Sequence, residues 1–260
     1  MKMHNDIKNH VLRIAKEGYR LDGRKFDEYR KVTVETGMIA TAEGSAKVTI
    51  GDTVVITGVK MQVETPYADN PDTGNLMVGA EFLPLSSPKF ESGPPGIDAI
   101  ELARVVDRGI REAKAIDSKK LCITYGEKVW SVSVDVCTLN SSGNLFDAAA
   151  LSAILAIKDA VFPEYKDGKL DYKKKTKQRL PIDKYPIAVT VYKIGDNYYV
   201  DPSDEEEEFV DSRLTVTSIE DGTVCALQKG GSSPISIEDI DQMTEIAIRK
   251  AKELRKFIDG

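Results

Sequence analysis

Histidine is nearly missing from this chain: its 260 residues hold two, His4 and His10, both close to the amino terminus. An imidazole base or a histidine-ligated metal needs its ring inside a cleft, so that position argues against both. Cysteine is scarce as well. Cys122, Cys137 and Cys225 are far apart in apolar, strand-like surroundings, which fits small buried thiols better than disulfides or metal ligands and points to a reducing compartment. No GxGxxG or GxxxxGK phosphate loop is present, and Gly230-Gly231-Ser232-Ser233 reads as a plain turn before the last helix. No apolar run reaches the length of a membrane span. Met1 to Lys16 mixes charged with apolar residues, unlike a secretory signal, so a cytoplasmic protein with no membrane contact is expected. Net positive charge is also lacking: the formal charge is −6, which disfavours binding nucleic acid along a whole face but leaves room for local basic patches.

What is present suits a soluble globular protein, with 41% hydrophobic and 30% charged residues. Ile7, Val11, Leu12 and Ile14 or Ala15 predict a short amphipathic helix within residues 1–18, ended by Gly18. Short β-branched runs follow: Lys31 to Thr36, Ser45 to Ile50, Thr53 to Val63 and Leu76 to Leu83, with Gly51-Asp52 as a hairpin turn. Pro84 to Gly96 is too rich in proline for regular structure. Asp98 with Glu101 resembles a helix start, and the helix after it carries Arg104, Arg108 and Arg111 on its solvent side. Strands Leu121 to Tyr125 and Val129 to Cys137 lead to Phe146 to Phe162, so apolar that a helix packed between other elements is expected.

Prolines and a run of lysines make residues 163–186 a crossover between a first half, about 19–162, and a second half, 187–260. The second half repeats the first in outline: strands Ile187 to Ile194, Tyr198 to Val200, Arg213 to Thr217 and Val224 to Leu227, then a helix from Ile237 to Ile258 capped by Ser236. Two sheet-plus-helix halves make an α+β protein.

Three clusters can carry chemistry. The acidic run Asp201, Asp204, Glu205, Glu206, Glu207, Glu208 and Asp211 suits either a divalent-ion site or a solvated acidic turn. The arginines at 104, 108 and 111, and the lysines from Lys173 to Lys177, are either phosphate-binding or solvated faces. No nucleophile lies beside a matching base.

Arg20-Leu21-Asp22-Gly23-Arg24, Glu43-Gly44-Ser45-Ala46 and Gly51-Asp52-Thr53 resemble the opening of the RNase PH family, and the likeness runs through essentially the whole chain. Gly93-Pro94-Pro95-Gly96, the stretch Glu101 to Arg108, and Val200-Asp201-Pro202 look specifically like the non-catalytic RNase PH-type subunit of the archaeal exosome. The resemblance implies the RNase PH fold, of the ribosomal protein S5 domain 2-like kind. It also implies phosphorolytic 3′-to-5′ RNA degradation by an assembly in which the chain lacks its own chemistry. Active members have a Gly-Thr-Arg phosphate-binding step, and the threonine and arginine fall here on Gly143 and Asn144; a neutral amide cannot replace a guanidinium on phosphate. Two aspartates six residues apart in active members, counted back from Glu220-Asp221-Gly222, fall on Glu207 and Arg213, so a metal site is not expected and the acidic run becomes surplus surface charge. The loop Pro88 to Gly96 lacks the RNA-holding arginines of active members.

By the same resemblance the chain alternates with a catalytic sibling, three of each, in a hexameric ring around single-stranded RNA. RNA-binding cap subunits cover one face, and Arg104, Arg108 and Arg111 contact phosphates. No cofactor is implied. Two other readings stay open: a residual phosphate-dependent exoribonuclease and a stand-alone RNA-binding scaffold.

Overall fold

The computed structural model describes residues 10–259. Helix α1 covers 10–16 there, with Val11 and Ala15 packed on Tyr192, Ile194, Tyr199 and Phe209. His4 and the start of the expected helix at Asn5 lie outside the described residues.

The first sheet is built from β1 (Val32–Thr36), β2 (Gly44–Ile50), β3 (Thr53–Glu64), β4 (Asn75–Phe82), β5 (Cys122–Thr124) and β6 (Lys128–Asn140). Its order is β1-β2-β3-β6-β4, with β5 also paired to β6. Gly51-Asp52 closes the β2–β3 hairpin, since Ile50 pairs with Thr53. On β3 alternate residues Val55, Val59 and Met61 are buried, the period of a strand with one covered face. β4 runs parallel to β6, which requires a crossover, and α2 (Ile97–Glu112) supplies it.

The second sheet has the order β10-β9-β11-β12, from β9 (Ile187–Ile194), β10 (Asn197–Val200), β11 (Ser212–Ser218) and β12 (Val224–Gly230). Helix α3 (Leu145–Asp159) touches β2 and β3 of the first sheet, β9 of the second, and α2. Neighbours on all these sides account for an apolar helix with almost no polar face. A four-residue helix, α4 (Asp204–Glu207), precedes β11, and α5 (Ile237–Asp259) covers β9 and β11 with Met243, Ala247, Leu254 and Ile258 buried.

Ser236 caps α5 in a reciprocal arrangement: the Asp239 N–H donates to Ser236 Oγ at 3.1 Å, and the Ser236 N–H to Asp239 Oδ2 at 2.9 Å. The helix start expected at Asp98 is corrected. α2 begins one residue earlier, at Ile97, after an extended N-cap Gly96 without a side-chain bond, and Asp98 falls inside the first turn, where its charge favours the helix dipole. Between the sheets, much of the stretch read as a crossover forms a hairpin of β7 (Val161–Lys166) and β8 (Lys169–Arg179). Its turn, Asp167-Gly168, has φ of 52° and 75°, as a two-residue type I′ turn requires.

Candidate functional site

The loop ahead of α3 is held from inside the protein. Thr53 Oγ1 donates to the Gly143 carbonyl at 2.6 Å, and Arg30 donates to the carbonyls of Ser142 (2.6 Å) and Gly143 (3.2 Å). Gly143 has φ +87°, and a Cβ there would lie 2.3 Å from the Pro202 carbonyl oxygen, so only glycine fits. Asn144 follows in the left-handed region and is fully buried. Its backbone N–H donates to Glu207 Oε1 at 2.8 Å; its amide donates to Asp147 Oδ2 (3.2 Å) and Asp201 Oδ1 (3.1 Å), and its oxygen accepts from Tyr192 at 3.4 Å. Each of these donors has an internal acceptor, which leaves none aimed at a phosphate.

Asp147 accepts from Tyr29 at 2.6 Å and from the Thr190 N–H at 2.7 Å. Burial pushes its carboxyl up to about 7 against these bonds, so it holds a proton part of the time near neutral pH. The same burial, with Asp147 alongside, pushes the Tyr29 hydroxyl well above its ordinary value, and Tyr29 stays a donor.

Glu207 and Arg213 line one cleft of roughly 200 Å³ beside α2 and the start of α3. Burial raises the Glu207 carboxyl above its usual range. Arg213 is engaged within the chain: its guanidinium meets Glu101 Oε2 at 2.8 Å and lies 4.5 Å from the Phe146 ring centre. The other side of Arg213 rests on Gly230, its cross-strand partner, where a Cβ would approach its Cζ to 2.3 Å. The cleft wall contains Asp98, Glu101, Asp204 and Glu207 against Lys89 and Arg213, an excess of acid that repels phosphate. These residues do not fit a divalent ion either, because the Arg213 guanidinium stands among the carboxylates and Glu207 already accepts from Asn144. Among the described residues no group of three or more His, Cys, Asp or Glu is placed to hold a metal.

Part of the acidic run is not surplus surface charge, although Glu205 and Glu208 are exposed. Asp201 and Glu206 are buried. Asp201 accepts from Arg30 Nε and Nη2 (2.9 and 2.7 Å), from Arg24 Nη1 (3.0 Å) and from Asn144. Glu206 takes a two-point bond from Arg20, at 3.0 and 2.5 Å. Asp201 and Glu206 therefore fasten the amino-terminal Arg20-to-Arg30 segment to the second half. Composition concealed this, because a buried carboxylate and a solvated one look alike until the matching arginines, far away in sequence, are brought beside them.

Arg104, Arg108 and Arg111 are all exposed on α2. Arg104 and Arg108 pair with no carboxylate among the described residues. Arg111 is tied to Asp107 at 2.7 and 3.0 Å and to the Leu76 carbonyl at 2.8 Å. The proline loop lines an open cavity of about 620 Å³, and its single lysine, Lys89, is neutralised by Asp204 (3.1 Å) and Glu208 (3.3 Å). Lys173 and Lys177 lie on the exposed hairpin strand β8.

Comparison with known proteins gives the lineage of this fold. The family model described as "3′ exoribonuclease family, domain 1" matches residues 28–163, and its "domain 2" matches residues 184–250. The exosome complex component Rrp42 of Methanocella arvoryzae is 46% identical over 97% of this chain and 95% of its own. That of Archaeoglobus fulgidus is 47% identical over 96% and 95%. A chain of the solved Archaeoglobus fulgidus exosome with RNA bound to the active site superposes with a TM-score of 0.91 at 45% identity, covering 98% of this chain and 99% of that one. The chain belongs to the RNase PH family of 3′ exoribonucleases, in its Rrp42-type branch.

Proposed function

We propose that this chain is a non-catalytic component of an archaeal exosome. It alternates with a catalytic RNase PH-type sibling in a ring of three and three, shapes the sibling's active site and helps hold single-stranded RNA for 3′-to-5′ phosphorolysis in the cytoplasm. RNA-binding cap subunits complete the particle on one face. The observation that carries this reading is the occupied phosphate position: Asn144 stands where active members have an arginine, fully buried and bonded to Glu207, Asp147 and Asp201. Arg213, clamped between Glu101, Phe146 and Gly230, supports it from the metal position.

The RNA contact falls to Arg104 and Arg108, the two exposed arginines of α2 without a carboxylate partner. In the assembled ring, R104A/R108A should weaken single-stranded RNA binding without altering base preference, and should reduce the salt slope by about 1.4, at about 0.7 per lost single-strand phosphate contact. R111A should change the slope much less, since Asp107 already neutralises Arg111. Fluorescence anisotropy over a salt series measures both. An unchanged slope in R104A/R108A would remove α2 from the RNA path.

A further inference from the structure

The β7–β8 hairpin is the strongest concentration of positive charge in an acidic chain. Residues 166–179 carry seven basic side chains against two acidic ones, while the whole chain has a formal charge of −6. Lys166, Lys169, Lys173 and Lys177 are exposed and pair with no carboxylate among the described residues. Lys166 even lies directly opposite Lys169 in the ladder, an arrangement of like charges that costs stability in a strand pair. A fold that keeps such a pair beside a tight Asp-Gly turn retains charge for something other than its own stability.

The hairpin is a fixed platform. Thr176 Oγ1 donates to the Phe162 carbonyl at 2.8 Å and Lys175 to the Ala42 carbonyl at 2.6 Å. Trp130 lies beneath it, 5.0 Å from Phe162 and 5.9 Å from Tyr165. Next to the lysines stands Tyr172, 45% exposed, with Lys60 Nζ 4.6 Å from its ring centre. Lys60 is itself held by Glu43 at 2.8 Å, so the ring is braced while part of its surface stays open.

We propose that this hairpin is a second RNA-binding surface, in which Lys169, Lys173 and Lys177 track the phosphodiester backbone of a single strand and Tyr172 stacks on one of its bases. Basic side chains spread along an extended element, with an exposed aromatic among them, form the sequence-tolerant combination that single-stranded nucleic acid binds. The exposed ring among the lysines favours nucleic acid over an acidic protein, because it adds a face on which a base can stack and a carboxylate side chain cannot. The choice of RNA as the polyanion rests on the function proposed above; the surface itself lies apart from the cleft of Glu207 and Arg213.

The test uses the full chain assembled with its catalytic sibling. Anisotropy is measured with a labelled single-stranded RNA of about 30 nucleotides, long enough to reach several phosphate and base contacts. K169A/K173A/K177A should raise Kd about tenfold at low salt and flatten the salt slope by about 2, three contacts at roughly 0.7 each. Y172A should raise Kd about tenfold, and Y172F should restore it, because stacking needs the ring alone. K169A/K173A/K177A should not lower the melting temperature, since Lys169 faces Lys166, Y172F should leave it unchanged, and all the variants should phosphorolyse a very short oligonucleotide at the wild-type rate. Unchanged Kd and slope with the long RNA would overturn the proposal. So would an unchanged RNA slope combined with loss of polyglutamate binding, which would make an acidic protein the occupant. If the proposed function itself fails, short-oligonucleotide phosphorolysis by the sibling will not depend on this chain at all, a separate readout from the hairpin variants.

Discussion

Arg20→Ala should destabilise the protein by about 3–5 kcal/mol, the cost of removing one partner from a fully buried ion pair. The side chains of Arg20 and Glu206 are 0% and 1% exposed. Arg20 also donates to the carbonyls of Val200 (3.0 Å) and Asp201 (2.9 Å), so its loss strands a carboxylate and two carbonyls together. For a chain of this size the melting temperature should fall by about 10 °C, and urea unfolding gives the free energy directly. Glu206→Gln should cost less, since the amide keeps the shape and still accepts one bond. A loss below about 1 kcal/mol for Arg20→Ala would mean that the pair is solvated and does not tie the amino-terminal segment to the second half.

The second large effect is a failed restoration. G143T/N144R rewrites the loop towards the active pattern, and it should neither bind phosphate nor fold stably. A threonine at residue 143 meets the Pro202 carbonyl, where the Cβ alone would lie at 2.3 Å, and it must adopt φ +87°. The conformational penalty is about 1–2 kcal/mol and overpacking adds about 1–3 kcal/mol. Arginine at residue 144 enters a closed site where Asp201, Asp147 and Glu207 already attract cationic or N–H donors, so it pairs with them instead of a phosphate. Thermal unfolding and calorimetric phosphate titration check both parts. A stable double variant that binds phosphate would show that the loop adapts more readily than its packing implies.

Much of the fold can be read from local signals. Gly51-Asp52 places a hairpin, observed as Ile50 opposite Thr53, whereas the strand read from Tyr198 starts one residue earlier, with Asn197 opposite Ile194. The all-round apolar character of α3 required neighbours on every side, and the structure supplies them. The site was only partly legible. Asn144 and Arg213 were found through family likeness, and their bonding then followed from the geometry. Asp201 and Glu206 were misread because their partners Arg24, Arg30 and Arg20 lie far away in sequence, and no local pattern records such a pairing. One overlooked signal was local: Asp107 four residues before Arg111 is the spacing of a helical ion pair, which marks that arginine as engaged.

If this chain completes another subunit's site, as proposed, it performs no phosphorolysis itself. The most direct measurement is phosphate-dependent release of nucleoside diphosphates from single-stranded RNA by this chain alone, by the catalytic sibling alone and by the two mixed. This chain should give no release at any phosphate or magnesium concentration, and the mixture should show a large gain over the sibling alone. Release by this chain alone that grows with phosphate would contradict the proposed role, and would mean that Asn144 and Arg213 do not block the chemistry they displace.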